Sequence, residues 1–234
     1  METIELFSGT ASFSKVALQR GFKINTYDIA DHAVELLPNT HTQCDVLDRT
    51  VSYPENIDYA WFSPPCNAFS VASISHHWGG GKGKYIPKTD ATRLGLKILD
   101  RTIELIATLK PTTWWLENPR GVMRKVIDEC FLKHGIKDYV RHTVTYCSYS
   151  KLEKRMKPTD IWTADKLWQP RKPCKNYRYD SDGNVIDRHC HHEMARRGAR
   201  TGTQGAKGAI DRAIIPKELF EEIFNSHNTN TIEQ

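Results

Sequence analysis

The sequence contains no long apolar run, no internal repeat and no low-complexity tract. The first absence excludes membrane-spanning helices, which need about twenty consecutive apolar residues. The others exclude repeat arrays and compositionally biased segments. Charge of one sign does not dominate either. With 33 Lys and Arg against 28 Asp and Glu, the net charge is only +5, and the isoelectric point is near 8.8. That balance is compatible with a polyanionic partner without establishing one. Met1 is followed at once by Glu2 and a strand-like segment, which leaves no room for a signal peptide, so a cytosolic protein is expected. In that setting the six cysteines (44, 66, 130, 147, 174 and 190) are not expected to form a disulfide framework. Reduced thiols, a nucleophile or a metal site are the alternatives. What is present suits one ordinary domain with a small appended module. The chain has 234 residues, 39% of them hydrophobic and 26% charged.

The first half alternates short apolar runs with helical patterns, which predicts an α/β fold built on a doubly wound, mostly parallel sheet. Strands are expected at 3–7, 23–27, 43–46, 57–62 and 113–116, with helices at 13–20 and 92–109. Two further strands are expected at 140–145 and 159–163, and a final helix at 216–224. Residues 164–200 change character. They carry Arg171, Lys172, Lys175, Arg178, Arg188, Arg196 and Arg197 with few aliphatics, which reads as a small irregular basic insert. The expected division is therefore 1–163, 164–200 and 201–234. Polar or acidic groups follow each of the first five strands, and doubly wound sheets bind ligands beyond their strands' carboxyl ends. One shared crevice follows.

Three segments at those ends carry chemistry. Leu6-Phe7-Ser8-Gly9-Thr10-Ala11-Ser12 is a small-residue turn between strand and helix. Such turns let a ligand approach backbone closely, although a plain tight turn is the simpler reading of this segment alone. Pro64-Pro65 fixes the chain leading into Cys66, where the alternatives are a rigidly held nucleophile and a buried structural thiol. Glu117-Asn118-Pro119 closes a strand containing Trp114-Trp115-Leu116. A carboxylate there is costly unless it has a partner or a task.

In this order the segments resemble the cytosine-C5 methyltransferase family. Leu6-Phe7-Ser8-Gly9 resembles its cofactor motif, 63–70 its Pro-Cys nucleophile motif, and Glu117-Asn118 its Glu-Asn motif. Residues 146–162, with Lys154-Arg155, are similar to its Arg-bearing motif. The likeness spans about residues 3–163, and 157–162 with 201–205 are most similar to short, phage-encoded members. Three ordered motifs are a far stronger signal than any one of them. The sequence departs from the family at Ala11-Ser12, where paired glycines are usual, and at Asn67, where Gln is usual. Its Arg-bearing pattern is incomplete and its insert is small for a recognition domain.

The resemblance implies a class I S-adenosylmethionine-dependent fold and methylation of cytosine C5 in DNA. Cys66 would add to C6, Glu117 would hold N3 and the exocyclic amine, and Arg155 would hold the O2 edge or a phosphate. The cofactor residues would be Phe7, Ser8, Gly9, Thr10, Ala11, Asp28, Ile29, Asp45, Val46 and Pro64. Pro65, Ser70, Asn118, Lys82 and Lys84 would face the substrate. A basic lid is expected over 68–91, since C5 is inaccessible in a stacked duplex. Asp28 and Asp45 have the plain alternative of solvated turn residues. Cys174, Cys190, His191 and His192, with Cys147 as an optional addition, raise a structural zinc ion held by Cys174, Cys190 and His192, against reduced and unliganded side chains. The implied setting is DNA methylation, in restriction–modification or in a bacteriophage, by a monomer in the cytoplasm of a bacterium or infected host. A tRNA substrate and a catalytically silent DNA-binding member are the competing readings. A short or relaxed target is expected from the small insert.

Overall fold

A computed structural model describes residues 1–31, 37, 39–81, 83–174, 177–179, 185–188, 190–193, 204–206 and 208–228. In chain order the elements are β1 (Glu2–Leu6), α1 (Ser12–Gln19), β2 (Lys23–Asp28), β3 (His41–Gln43), β4 (Tyr59–Phe62), α2 (Ile74–His77), β5 (Trp78–Gly79) and β6 (Ile86–Pro87). They continue with α3 (Asp90–Leu109), β7 (Thr113–Pro119), α4 (Met123–Lys133), β8 (Val140–Thr145) and β9 (Pro158–Thr163). The last are β10 (Tyr177–Tyr179), β11 (Val185–Arg188), α5 (Ala209–Ala213) and α6 (Lys217–Asn228).

Seven strands form one sheet in the order β3-β2-β1-β4-β7-β9-β8. The pairs β1/β2, β2/β3, β1/β4 and β4/β7 are parallel. Chain order reverses at β1, which has β2 on one side and β4 on the other. A crevice opens beyond the carboxyl ends at such a switch point. β1 and β4 are buried nearly throughout, as parallel strands covered on both faces must be.

By contacts the chain divides into two compact units, Met1–His142 with Asp160–Lys166, and Thr143–Thr159 with Leu167–Gln234. The core of the first gathers Ile4, Leu6, Ala60, Phe62, Leu99, Ile103, Trp114, Leu116, Met123, Ile127 and Phe131. Helix α3 starts at Thr89, whose side chain accepts from the Thr92 amide, and it buries Leu99, Ile103 and Ile106. Helix α4 was not expected. Its apolar positions Met123, Ile127 and Phe131 recur every four residues, and all three are buried. Strand β3 lies earlier than the expected 43–46. Its register pairs Thr26 with His41 and Asp28 with Gln43, and the Asp45 carboxylate then turns the chain by accepting from the Leu47 amide at 2.9 Å.

In the second unit, Glu222 of α6 accepts from Trp168 Nε1 at 3.1 Å and Arg171 Nε at 2.7 Å. Arg171 Nη1 also donates to the carbonyls of Ser148 and Tyr149. These bonds draw 148–149, 168–171 and α6 into one body, a different grouping from breaks at 163/164 and 200/201. The expected irregular insert contains an antiparallel pair, β10 with β11. Among its basic residues, Lys175, Arg196 and Arg197 lie outside the described residues. No helix among the described residues is long and apolar enough to cross a membrane.

Candidate active site

The turn after β1 is conformationally unusual. Phe7, Gly9 and Ala11 all adopt left-handed backbone, with φ of 61°, 46° and 53°. Such values for Phe and Ala persist only where neighbours dictate them. Here the Ser8 amide donates to the Tyr27 carbonyl at 3.1 Å and the Gly9 amide to Asp28 Oδ2 at 2.9 Å. Asp28 Oδ1 accepts from the Ala30 amide at 2.9 Å, so one carboxylate ties the turn after β1 to the turn after β2. Behind the turn, Glu5 of β1 replaces the missing side-chain cap of α1, accepting from the amides of Phe13 and Ser14 at 3.3 and 2.9 Å. Burial pushes the Glu5 carboxyl up to about 7, while those amides pull the other way.

Beyond the ends of β1, β2 and β3 lies a cavity of about 420 Å³, mouth included. Of the residues expected to hold a cofactor, it brings together Phe7, Asp28, Ile29, Asp45 and Val46. Ser8, Gly9, Thr10, Ala11 and Pro64 are not in its lining. Ala11 is wholly buried, and the Thr10 hydroxyl pairs with that of Ser12 at 2.9 Å. Leu6, Tyr27, Cys44, Tyr53 and Ile98 line the cavity without having been expected, as does Pro65, which had been placed on the substrate side. The Tyr53 ring packs on Tyr27 with centroids 4.9 Å apart. Its buried hydroxyl has no partner within the protein among the described residues, and burial pushes that hydroxyl up to about 12.

Cys66 and Glu117 occupy the same edge of the sheet. β4 and β7 run parallel with Phe62 beside Leu116, so Glu117, among the last residues of β7, lies level with the start of the loop at Ser63. Glu117 is 5% exposed and Cys66 is half-buried and free of any disulfide. The Cys66 carbonyl accepts from the amides of Phe69 and Ser70 at 2.9 and 3.1 Å, closing a tight turn. Three anchors hold that turn. Asn118 Nδ2 donates to the Pro64 carbonyl at 2.8 Å, Trp78 Nε1 to the Ala68 carbonyl at 2.6 Å, and the Val122 amide to the Phe69 carbonyl at 2.8 Å. Gly121 allows the last contact, because a Cβ there would lie 2.1 Å from the Phe69 oxygen. Asn118 Oδ1 is left buried and without a protein partner among the described residues. A buried orphan acceptor of this kind calls for a ligand or water.

The expected lid contains a helical turn, α2, and a hairpin, β5 with β6, rooted by the buried Trp78. Lys84 is exposed near the hairpin tip, and Lys82 lies outside the described residues. Ser70 is half-buried in the Cys66 turn.

Arg155 differs from its expected role. It is 5% exposed, and its guanidinium donates to both carboxylate oxygens of Glu153 and to the carbonyls of Asp211 and Ile214. It also stacks over Tyr146, 5.4 Å from the ring centroid. In this arrangement Arg155 braces the second unit around the end of α5 instead of presenting its donors outward. In the same unit, Cys174, Cys190 and His192 come together with Cys147, their ligand atoms all within 4.8 Å of one another.

The strand order, the parallel pairing and the cavity at the switch point are those of a class I methyltransferase fold. No family model matches the chain. The chain is 31% identical over 226 residues to a frog virus 3 (isolate Goorha) protein described as a probable DNA (cytosine-5)-methyltransferase, covering 94% of this chain and 98% of that one. It therefore belongs to the DNA (cytosine-5)-methyltransferase family. Among solved structures it resembles a protein assigned as a DNA modification methyltransferase encoded within an E. coli prophage. That match has a TM-score of 0.50 and 17% identity, over 73% of this chain and 51% of that chain. The Dnmt2 methyltransferase of S. pombe matches with a TM-score of 0.46 and 11% identity, over 70% of this chain and 50% of that chain. The chain thus spans about half the length of these solved structures. The curated relative is viral, from frog virus 3, where the sequence wording pointed to phage-encoded members.

Proposed function

We propose that this protein methylates C5 of cytosine in DNA, with Cys66 as nucleophile and Glu117 as the carboxyl that grips the base. The observation that carries the reading is the shared edge: Cys66 follows β4, Glu117 lies near the carboxyl end of the adjacent parallel strand β7, Asn118 of β7 ties that end to the loop after β4, and Pro65, next to Cys66, lines the cavity.

The cavity suits S-adenosylmethionine in the chemistry of its lining. Phe7 and Ile98 offer flat or apolar surface, Asp28 and Asp45 offer acceptors for ribose hydroxyls and the adenine amine, and the Tyr53 hydroxyl has no protein partner among the described residues. When bound, the cofactor supplies an electrophilic methyl group on a sulfonium.

The protein's own residues must make C5 nucleophilic. The Cys66 thiolate forms a bond to C6, which moves electron density onto C5. Glu117 hydrogen-bonds N3 and the exocyclic amine as charge develops there. Once C5 carries its methyl group, a base takes the C5 proton and the C6–S bond breaks, which returns the thiolate. The target base must leave the duplex stack or arrive single-stranded. Lys84, on the hairpin rooted beside the Cys66 turn, is placed to meet the backbone, and Ser70 and Asn118 to position the base. Arg155 acts as a positioning residue for the second unit.

Mass spectrometry of DNA nucleosides after expression tests this reading. The wild type should generate 5-methylcytosine and Cys66→Ser should not. Absence of 5-methylcytosine with the wild type, or equal amounts with the variant, refutes it.

A further inference from the structure

Outside the methyl-transfer site, the second unit gathers Cys147, Cys174, Cys190 and His192 from distant stretches of the chain. Cys174 Sγ lies 3.7 Å from His192 Nδ1, and all four ligand atoms fall within 4.8 Å of one another. With Zn–S near 2.3 Å and Zn–N near 2.0–2.1 Å, a tetrahedral site has edges of about 3.5–3.8 Å. The cage is therefore close to the size that a zinc ion requires. None of the four is exposed, and Cys147 and His192 are 4% and 2% accessible. The neighbours hold the ligands in place. The Cys174 amide donates to Thr145 Oγ1 at 2.8 Å, His191 Nε2 meets the Ser150 carbonyl at 2.9 Å, and the Glu193 amide donates to the Lys154 carbonyl at 2.8 Å.

We propose that Cys147, Cys174, Cys190 and His192 bind one zinc ion, which staples residues 190–193 to the 145–154 tract. Four protein ligands leave no open position for water, so the site is structural. Binding displaces the thiol protons to solvent and ties segments that carry few aliphatic side chains. The reading does not depend on methyl transfer.

Zinc content of the purified full chain, measured by elemental mass spectrometry under reducing conditions, is the primary test. One zinc per chain is expected. Cys147→Ser, Cys174→Ser, Cys190→Ser and His192→Ala should each lower zinc retention by about tenfold or more, whereas His191→Ala and the distant Cys44→Ser should retain it. Should ligand variants fail to fold, cobalt(II) loading of the wild type decides, with tetrahedral thiolate-type visible bands expected. Chelation should also speed hydrogen exchange of the Glu193 amide. Wild-type protein that takes up neither zinc nor cobalt overturns the proposal. So does a disulfide within the cluster, or full zinc retention after Cys174→Ser. Zinc content is read independently of 5-methylcytosine, so the two proposals fail separately.

Discussion

Gly121→Ala is the sharpest probe of how the Cys66 turn is held. The added Cβ would sit 2.1 Å from the Phe69 carbonyl oxygen and 3.1 Å from its carbon, the first more than an ångström short of ordinary contact. Both atoms are backbone, so no side chain can swing aside. That carbonyl also accepts from the Val122 amide, and its residue lies three positions beyond Cys66 within one tight turn. Relief therefore requires the turn and the start of α4 to separate. Overpacking of this kind costs about 1–3 kcal/mol, and displacing a reacting group by about an ångström costs about a hundredfold in rate. Initial rates of methyl transfer at saturating S-adenosylmethionine, beside urea unfolding, read both effects. Gly95→Ala is a milder comparator, since its Cβ would meet only side chains, Ala68 at 3.1 Å and Phe69 at 3.4 Å. Gly208→Ala points into open space and should be neutral. A Gly121→Ala enzyme with kcat within about twofold of wild type would refute the claim that this contact fixes the nucleophile.

Glu5 should impose a pH dependence on stability. Its folded carboxyl is raised to about 7 from an ordinary 4.5, so between those values the folded state holds a proton that the unfolded chain has released. Stability from this group is thus intact below pH 4.5 and declines as pH rises to about 7, by roughly 3 kcal/mol in all. Urea midpoints across that range should fall more steeply for the wild type than for Glu5→Gln, and parallel curves would contradict the assignment. Asp160, fully buried on β9, pairs with Arg124 of α4 through two hydrogen bonds. Removing the carboxylate in Asp160→Ala should cost about 3 kcal/mol by taking both of these hydrogen bonds from a mostly buried guanidinium. Chemical denaturation showing a loss below about 1 kcal/mol would place this pair among weak surface bridges.

Much of the sheet was legible because strand punctuation is local. Apolar runs closed by Asp28, by Ser63-Pro64-Pro65 and by Glu117-Asn118 mark strand ends wherever the chain goes, and parallel alternation dictates that those ends share one edge. The boundaries of β3 were not legible, because pairing with β2 and the Asp45 turn, rather than propensity, decide where it stops. Helix α4 was missed although its buried positions recur every four residues, since the charged residues Arg124, Lys125, Asp128 and Glu129 interrupt its apolar positions.

By itself, then, the sequence determined the α/β class, the residues that close each strand and the ordered motifs of the family, all properties of neighbours along the chain. Only the tertiary structure decided that Tyr53, Cys44 and Ile98 wall the cavity, that Gly121 sits against Phe69, that Cys147 completes a four-ligand cluster and that Arg155 turns into Glu153 and the end of α5. Most of these are contacts between positions far apart in sequence, set by packing and by the need of buried polar groups for partners, and no periodicity or spacing encodes them.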